Sequence, residues 1–326
     1  MSLGPRTINE MRATSTVSES VRTPVLVIGF NRPEHLAVLL DRLREVRPQR
    51  VYFAVDGPRE QRPGEATKVA EVRSLIDAID WIPEKRTLFH GENLGCGLGV
   101  STAITWFFEH EAEGIICEDD IIPDPSFFPY CAELLERYRD EDRVFAISGC
   151  NFVPPDYLSR PDLPYRFSQV PHIWGWATWR RSWEQYELDI ENWRSRLPMR
   201  DLFQRAGRSL TGATYWASVF RVLARKEVDT WDGQLVLTSM AANQWTATSN
   251  TNLIRNIGFD DQATHTFEDR DELTPVIPVA LPLAEVPVKV DELADTWTRT
   301  HHIRATPSGM MDQFRIYAMR RLGRKT

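Results

Sequence analysis

Between residues 23 and 150, short unbroken apolar runs alternate with longer stretches in which apolar residues recur at helical spacing. The first run, residues 24–30, reads Pro24-Val25-Leu26-Val27-Ile28-Gly29-Phe30, as expected of a parallel strand buried on both faces. Asn31-Arg32-Pro33-Glu34 then opens a helix, with Asn31 placed to cap it and Pro33 in its first turn. Leu36, Leu39, Leu40 and Leu43 form the apolar stripe of that helix. A second strand over 50–55 ends in the turn Asp56-Gly57-Pro58. A helix over 65–79 and a strand over 85–89 follow. The glycine-rich stretch from Asn93 to Gly99 leads into a helix over 101–110. Gly114-Ile115-Ile116-Cys117 reads as a buried strand, 125–139 as a helix and 144–149 as a strand. The alternation β-α-β-α-β-α-β-α-β predicts an α/β fold, with a mostly parallel central sheet flanked by helices.

After Gly149 the pattern loosens. Prolines gather at Pro154, Pro155, Pro161, Pro164 and Pro171, and aromatic residues become dense around Ile173-Trp174-Gly175-Trp176-Ala177-Thr178-Trp179. Helices are expected over 183–196 and 213–225. Another opens at Thr230-Trp231-Asp232-Gly233, and 244–248 reads as a short strand. This loop-rich second half is expected to pack on the same sheet. The expected organisation is a disordered segment over 1–22, a first half over 23–150, a second half over 151–270 and a C-terminal extension over 271–326. The extension ends in a basic amphipathic helix over 307–324, with Met311, Phe314, Ala318 and Leu322 on one face. That helix suits docking on the body or a second subunit, or peripheral contact with an anionic membrane surface.

Composition narrows the classes. The chain has 326 residues, enough for a sizeable core, and its net charge of −7 gives no basic footprint for nucleic acid. The four cysteines lack metal-ligand spacing and are read as reduced thiols of a cytoplasmic protein. No apolar run is long enough to span a membrane, and the first 20 residues carry no signal-peptide core.

The candidate chemistry lies where the strand Gly114–Cys117 runs straight into Glu118-Asp119-Asp120. Three adjacent carboxylates at the carboxyl end of a buried strand repel one another. A divalent cation with oxygen ligands, Mn²⁺ or Mg²⁺, would relieve that repulsion. An acidic turn solvated by water is the plain alternative. In doubly wound sheets ligands bind outside the carboxyl ends of the strands, and Arg32, Asp56 and Asn93 fall at the same edge. The glycine-rich stretch reads either as a simple turn or as backbone approaching a phosphate or sugar. Asp232 reads either as a chemical group or as a helix-start carboxylate, and the tryptophans around Trp176 either as pocket or as core.

These residues together resemble the metal-dependent glycosyltransferases of the A-type, Rossmann-like fold, nearest to the N-acetylglucosaminyltransferase I family and bacterial nucleotide-diphospho-sugar transferases. The resemblance spans roughly residues 23–270 and is closest at Glu118-Asp119-Asp120, followed by Pro125-Ser126-Phe127-Phe128. It implies an inverting transfer of a sugar from a nucleotide-diphosphate donor, with UDP ranked first, to an acceptor hydroxyl on a carbohydrate or glycoconjugate. It implies that Asp120 binds the metal, while Glu118, Asp119, Arg32 and Asp56 contact nucleotide or sugar; Asn93, at the same sheet edge, is read as a further donor contact. Trp176, beside Trp179, would border the donor. Asp232 would be the catalytic base, and His265 would serve the diphosphate directly or through the metal. Two positions depart from the family. No histidine was matched ahead of the acidic strand, and Gly233 stands where the family has a second acid. The competing readings are a sugar nucleotidyltransferase and a non-catalytic carbohydrate- or nucleotide-binding protein on the same fold.

Overall fold

The computed structural model describes residues 21–258, 275–309 and 311. The expected disorder at 1–22 therefore falls almost wholly outside the described residues, as do His265 and all but the first few residues of the C-terminal helix.

In chain order the elements begin β1 (Val25–Gly29), α1 (Pro33–Val46), β2 (Arg50–Val55), α2 (Glu65–Asp77), β3 (Glu84–Phe89), α3 (Gly95–His110) and β4 (Glu113–Glu118). Next come β5 (Ile121–Pro123), α4 (Phe127–Arg137), β6 (Val144–Ser148), β7 (Tyr165–Ser168) and β8 (Trp176–Trp179). The helices α5 (Arg180–Trp183), α6 (Trp193–Arg196), α7 (Met199–Arg205), α8 (Leu210–Ala224) and α9 (Asp232–Ala242) follow, then β9 (Trp245–Ser249), β10 (Ile254–Asn256) and α10 (Glu292–Trp297).

Eight strands form one sheet in the order β3-β2-β1-β4-β8-β6-β9-β7. The period-two alternation of each strand divides the core between its faces. Val25, Val27, Ile115 and Cys117 point to the side covered by α1, α2 and α4. Leu26, Tyr52 and Ile116 point to the side covered by α3, where Val100, Ala103, Ile104 and Phe107 meet them. A third apolar cluster joins α7, α8 and α9 through Leu202, Phe220 and Leu237. Among the described residues no helix is long and apolar enough to cross a membrane. None of the four cysteines forms a disulfide.

The sheet is mostly parallel, as expected, but it is mixed. β1, β2, β3 and β4 pair in parallel, as do β6 and β9. β8, however, is inserted antiparallel between β4 and β6, and β7 runs antiparallel to β9 at one edge. The reason lies in the connections. The chain leaves β6 at the carboxyl edge, descends through β7, returns, and must run down again through β8. The tryptophan-rich stretch is therefore a central strand, with all four of its residues buried.

Three further expectations change. Asn31 does not cap α1: its amide donates to Glu65 Oε1 at 3.0 Å, and the cap position falls to Arg32 without a side-chain bond. The helix expected over 183–196 is broken, because Tyr186 is drawn away to stack on Trp183, ring centroids 4.3 Å apart. The glycine-rich stretch is no loop from Gly95 onward but the first turns of α3.

Gly114 shows how tightly β4 is packed between the strands and α3. A Cβ there would lie 2.2 Å from Phe107 Cζ and 2.9 Å from the Pro24 carbonyl oxygen. Gly114→Ala is expected to cost about 1–3 kcal/mol by overpacking. The urea unfolding midpoint reads this, and an unchanged midpoint would contradict the packing.

Candidate functional site

β1 and β4 are neighbours, with Ile28 opposite Glu118, so their carboxyl ends open at one place. The chain leaving β4 turns at once, and each of its three acids takes a different environment. Asp119 is stapled to β1: its N–H donates to the Ile28 carbonyl at 2.9 Å, and its Oδ2 accepts the Phe30 N–H at 3.0 Å. It is 6% exposed.

Asp120 faces Arg32, whose Nη1 lies 2.9 Å from its Oδ2 and 3.7 Å from Asp119 Oδ1. Glu118 is half-buried, and no described residue donates a hydrogen bond to its carboxylate. Burial, followed by the charges of Asp120, Asp119 and Asp232, pushes its proton affinity well above the ordinary carboxylate range. Asp119 is raised too, by burial first and then by Asp120, against the opposing pull of Arg32. Among the described residues one guanidinium, that of Arg32, lies within ion-pair distance of Asp119 and Asp120.

The chain crosses back over this cluster. β5 pairs antiparallel with β10, the Ile257 N–H donates to the Asp120 carbonyl at 2.8 Å, and a Cβ at Gly258 would lie 2.3 Å from Asp120 Oδ2. The run from Ile254 to Gly258 therefore borders Asp120. Neither three-residue strand was legible in sequence.

The glycine-rich start of α3 is occupied by the protein's own carboxylates. Asp56 accepts from the N–H groups of Gly57 (2.8 Å), Leu94 (2.9 Å) and Gly95 (3.2 Å), and from the Asn93 amide (2.9 Å). Asn93 also donates to the Gly57 carbonyl at 2.9 Å. Asp229 takes the next two, Cys96 N–H at 2.9 Å and Gly97 N–H at 2.8 Å. These unpaired N–H groups are where an anion would dock at a helix start. Here two carboxylates, those of Asp56 and Asp229, fill that place. Asp56 and Asn93 do lie together at the predicted edge, bonded to each other.

Asp232 is the first residue of α9 and is exposed. Its Oδ1 accepts from Thr230 Oγ1 at 2.5 Å and from the Gly233 N–H at 2.8 Å. Its charge contributes to raising the proton affinity of Glu118, Cys96 and Tyr186. Trp231, beside it, is 3% exposed and stacks on Trp176 with ring centroids 5.8 Å apart at 22°. Trp176 is itself 1% exposed, and Trp179 3% exposed. Their rings are packed within the core behind the opening.

Sequence reading missed two residues at this edge. Asp229 carried no signal beyond that of a loop acid. His90 follows β3, so a histidine does precede the acidic strand at the carboxyl edge. Its N–H donates to the Val55 carbonyl at 3.0 Å, its own carbonyl accepts from Arg73 at 2.5 Å, and its Nε2 is buried without a partner among the described residues.

Among the described residues no group of three or more His, Cys, Asp or Glu side chains is disposed to hold a metal ion. Asp119 is turned to β1 and Asp120 to Arg32, while His265 lies outside the described residues. The donor chemistry nevertheless fits a hard cation: all three side chains offer oxygen, and burial and mutual repulsion raise the proton affinity of Glu118 and Asp119.

No protein-family model matches the chain, and no curated protein matches it. Among solved structures the chain is similar to the mannosyltransferase PcManGT from Pyrobaculum calidifontis, in complex with GDP-Man and Mn²⁺. The identity is 14%, over 70% of this chain and 75% of that chain, with a TM-score of 0.38.

Proposed function

We propose that the chain is a metal-dependent glycosyltransferase that moves a sugar from a nucleotide-diphosphate donor to an acceptor hydroxyl. The observation that carries this reading is the carboxylate cluster of Glu118, Asp119 and Asp120 at the carboxyl end of β4, in which burial and mutual repulsion raise the proton affinity of Glu118 and Asp119. Such a cluster favours a cation, and the exposed carboxylate of Asp232 at the start of α9 is the group we assign as base.

In this reading Asp120 and Glu118, with His265, hold Mn²⁺ or Mg²⁺, which when bound supplies Lewis-acid stabilisation of the leaving diphosphate. Arg32 binds the diphosphate electrostatically. Asp119 keeps β1 and β4 in register so that Arg32 and Asp120 face each other. Asp56 and Asn93 hold Gly57 and the start of α3 as a wall of the nucleotide pocket. Asp232 accepts the proton of the acceptor hydroxyl while that oxygen bonds to the anomeric carbon. The carbon–oxygen bond to the diphosphate breaks, and its electron pair leaves with the diphosphate. A base opposite the leaving group inverts the anomeric centre.

Thermal denaturation with UDP, GDP, dTDP and CMP sugars, each with and without Mn²⁺, tests the reading. One donor class is expected to stabilise the protein only with metal, by about 2.7 kcal/mol at a hundredfold excess over Kd. Asp120→Ala is expected to lose that shift. A donor-induced shift that is independent of Mn²⁺ and unchanged in Asp120→Ala would rule the metal assignment out.

A further inference from the structure

We propose that Asp229 is a positioning residue for Asp232: its carboxylate locks the segment carrying Asp232 onto the start of α3. The inference rests on Asp232 being the base of a sugar transfer.

Asp229 makes a two-pronged contact, Oδ2 with the Cys96 N–H at 2.9 Å and Oδ1 with the Gly97 N–H at 2.8 Å. Charge-assisted bonds at a helix N-terminus are the strong kind, because the unpaired N–H groups and the helix dipole both favour the anion. The contact joins residues more than 130 positions apart in sequence. It needs glycine: a Cβ on Gly95 would lie 2.4 Å from Asp229 Oδ2, and one on Gly97 would lie 2.8 Å from Asp229 Oδ1 and 3.0 Å from the Thr230 carbonyl oxygen.

The partner is a fixed point. Asp56 ties the Leu94 and Gly95 N–H groups of the same helix start to the end of β2, and α3 packs its apolar face on the sheet. From Asp229 the chain reaches Asp232 in three residues, each held. The Thr230 carbonyl accepts from Gln234 Nε2 at 2.9 Å, and the Trp231 carbonyl accepts from the Tyr186 hydroxyl at 3.1 Å. Thr230 Oγ1 and the Gly233 N–H fix Asp232 Oδ1. Those bonds orient the carboxylate within its own turn, and Asp229 ties that turn to the edge carrying Asp56. Proton transfer needs such placement, since a displacement of about 1 Å costs on the order of a hundredfold in rate.

Asp229→Asn offers one acceptor oxygen where two are needed and sets an NH₂ group against an N–H. Gly97→Ala pushes the same segment from the α3 side and leaves Asp229 intact. For the donor sugar selected by the thermal screen with Mn²⁺, both variants are expected to lower kcat of nucleotide-sugar turnover by about tenfold or more. Donor Kd is expected to change by less than about twofold in Asp229→Asn, since Asp229 does not carry the donor. In an Asp232→Asn background, Asp229→Asn is expected to leave the residual rate unchanged, because two residues acting through one step are not additive. Wild-type kcat in both variants would overturn the inference, as would an equal further loss in the Asp232→Asn background, which is what a general structural role gives. A wild-type protein that turns over no nucleotide sugar would overturn this inference and the proposed function together.

Discussion

Asp232→Asn is expected to lower sugar transfer by about 10²- to 10⁴-fold, the range a positioned general base supplies, while nucleotide affinity stays within about twofold of wild type. The substitution is close to isosteric. Thr230 Oγ1 and the Gly233 N–H both bond Oδ1, so an asparagine that keeps its amide oxygen there keeps both bonds. Asp232 is exposed, so its replacement leaves no buried group unsatisfied. What is lost is the second carboxylate oxygen as a proton acceptor. Turnover of the donor, titration calorimetry with the nucleoside diphosphate and Mn²⁺, and the unfolding midpoint together separate the effects. Nucleotide affinity lost with turnover per bound donor retained would move Asp232 from proton transfer to donor binding.

The parts of the fold legible in sequence were those that residues dictate locally. β1, β2, β4 and β6 are unbroken apolar runs because both of their faces are covered, and α1 and α4 carry apolar stripes because one of theirs is. The acidic edge was legible for the same reason, since a buried strand running directly into three carboxylates can end only at a sheet margin. What escaped was set by distant partners. Trp176 to Trp179 is a central strand only because β4 and β6 leave a gap that accepts it antiparallel. β5 and β10, with three residues each, exist through their mutual pairing. The start of α3 looks like a loop by composition, and it is helical because Asp56 and Asp229 satisfy N–H groups that glycines leave accessible. No local pattern could announce a cap supplied from position 229.

Trp176→Ala is expected to destabilise the protein by about 3–5 kcal/mol, the range for removing a large aromatic residue from a core. Trp176 is 1% exposed, sits in β8 between β4 and β6, and meets Leu26, Ile116 and Phe145 on the α3 side of the sheet. Its ring also stacks on Trp231, so the cavity would open directly beneath the residue preceding Asp232. Two consequences separate this core role from the donor contact that the resemblance implies. A core tryptophan lowers the urea midpoint strongly while donor Kd, measured on the folded fraction at low temperature, stays near wild type. A donor-contact tryptophan does the reverse. Trp176→Phe keeps most of the apolar volume and is expected to recover most of the stability, with kcat still reduced because Trp231 has lost part of its stacking surface. A midpoint within about 1 kcal/mol of wild type in Trp176→Ala, a value typical of surface substitutions, together with lost donor affinity, would return Trp176 to the donor pocket.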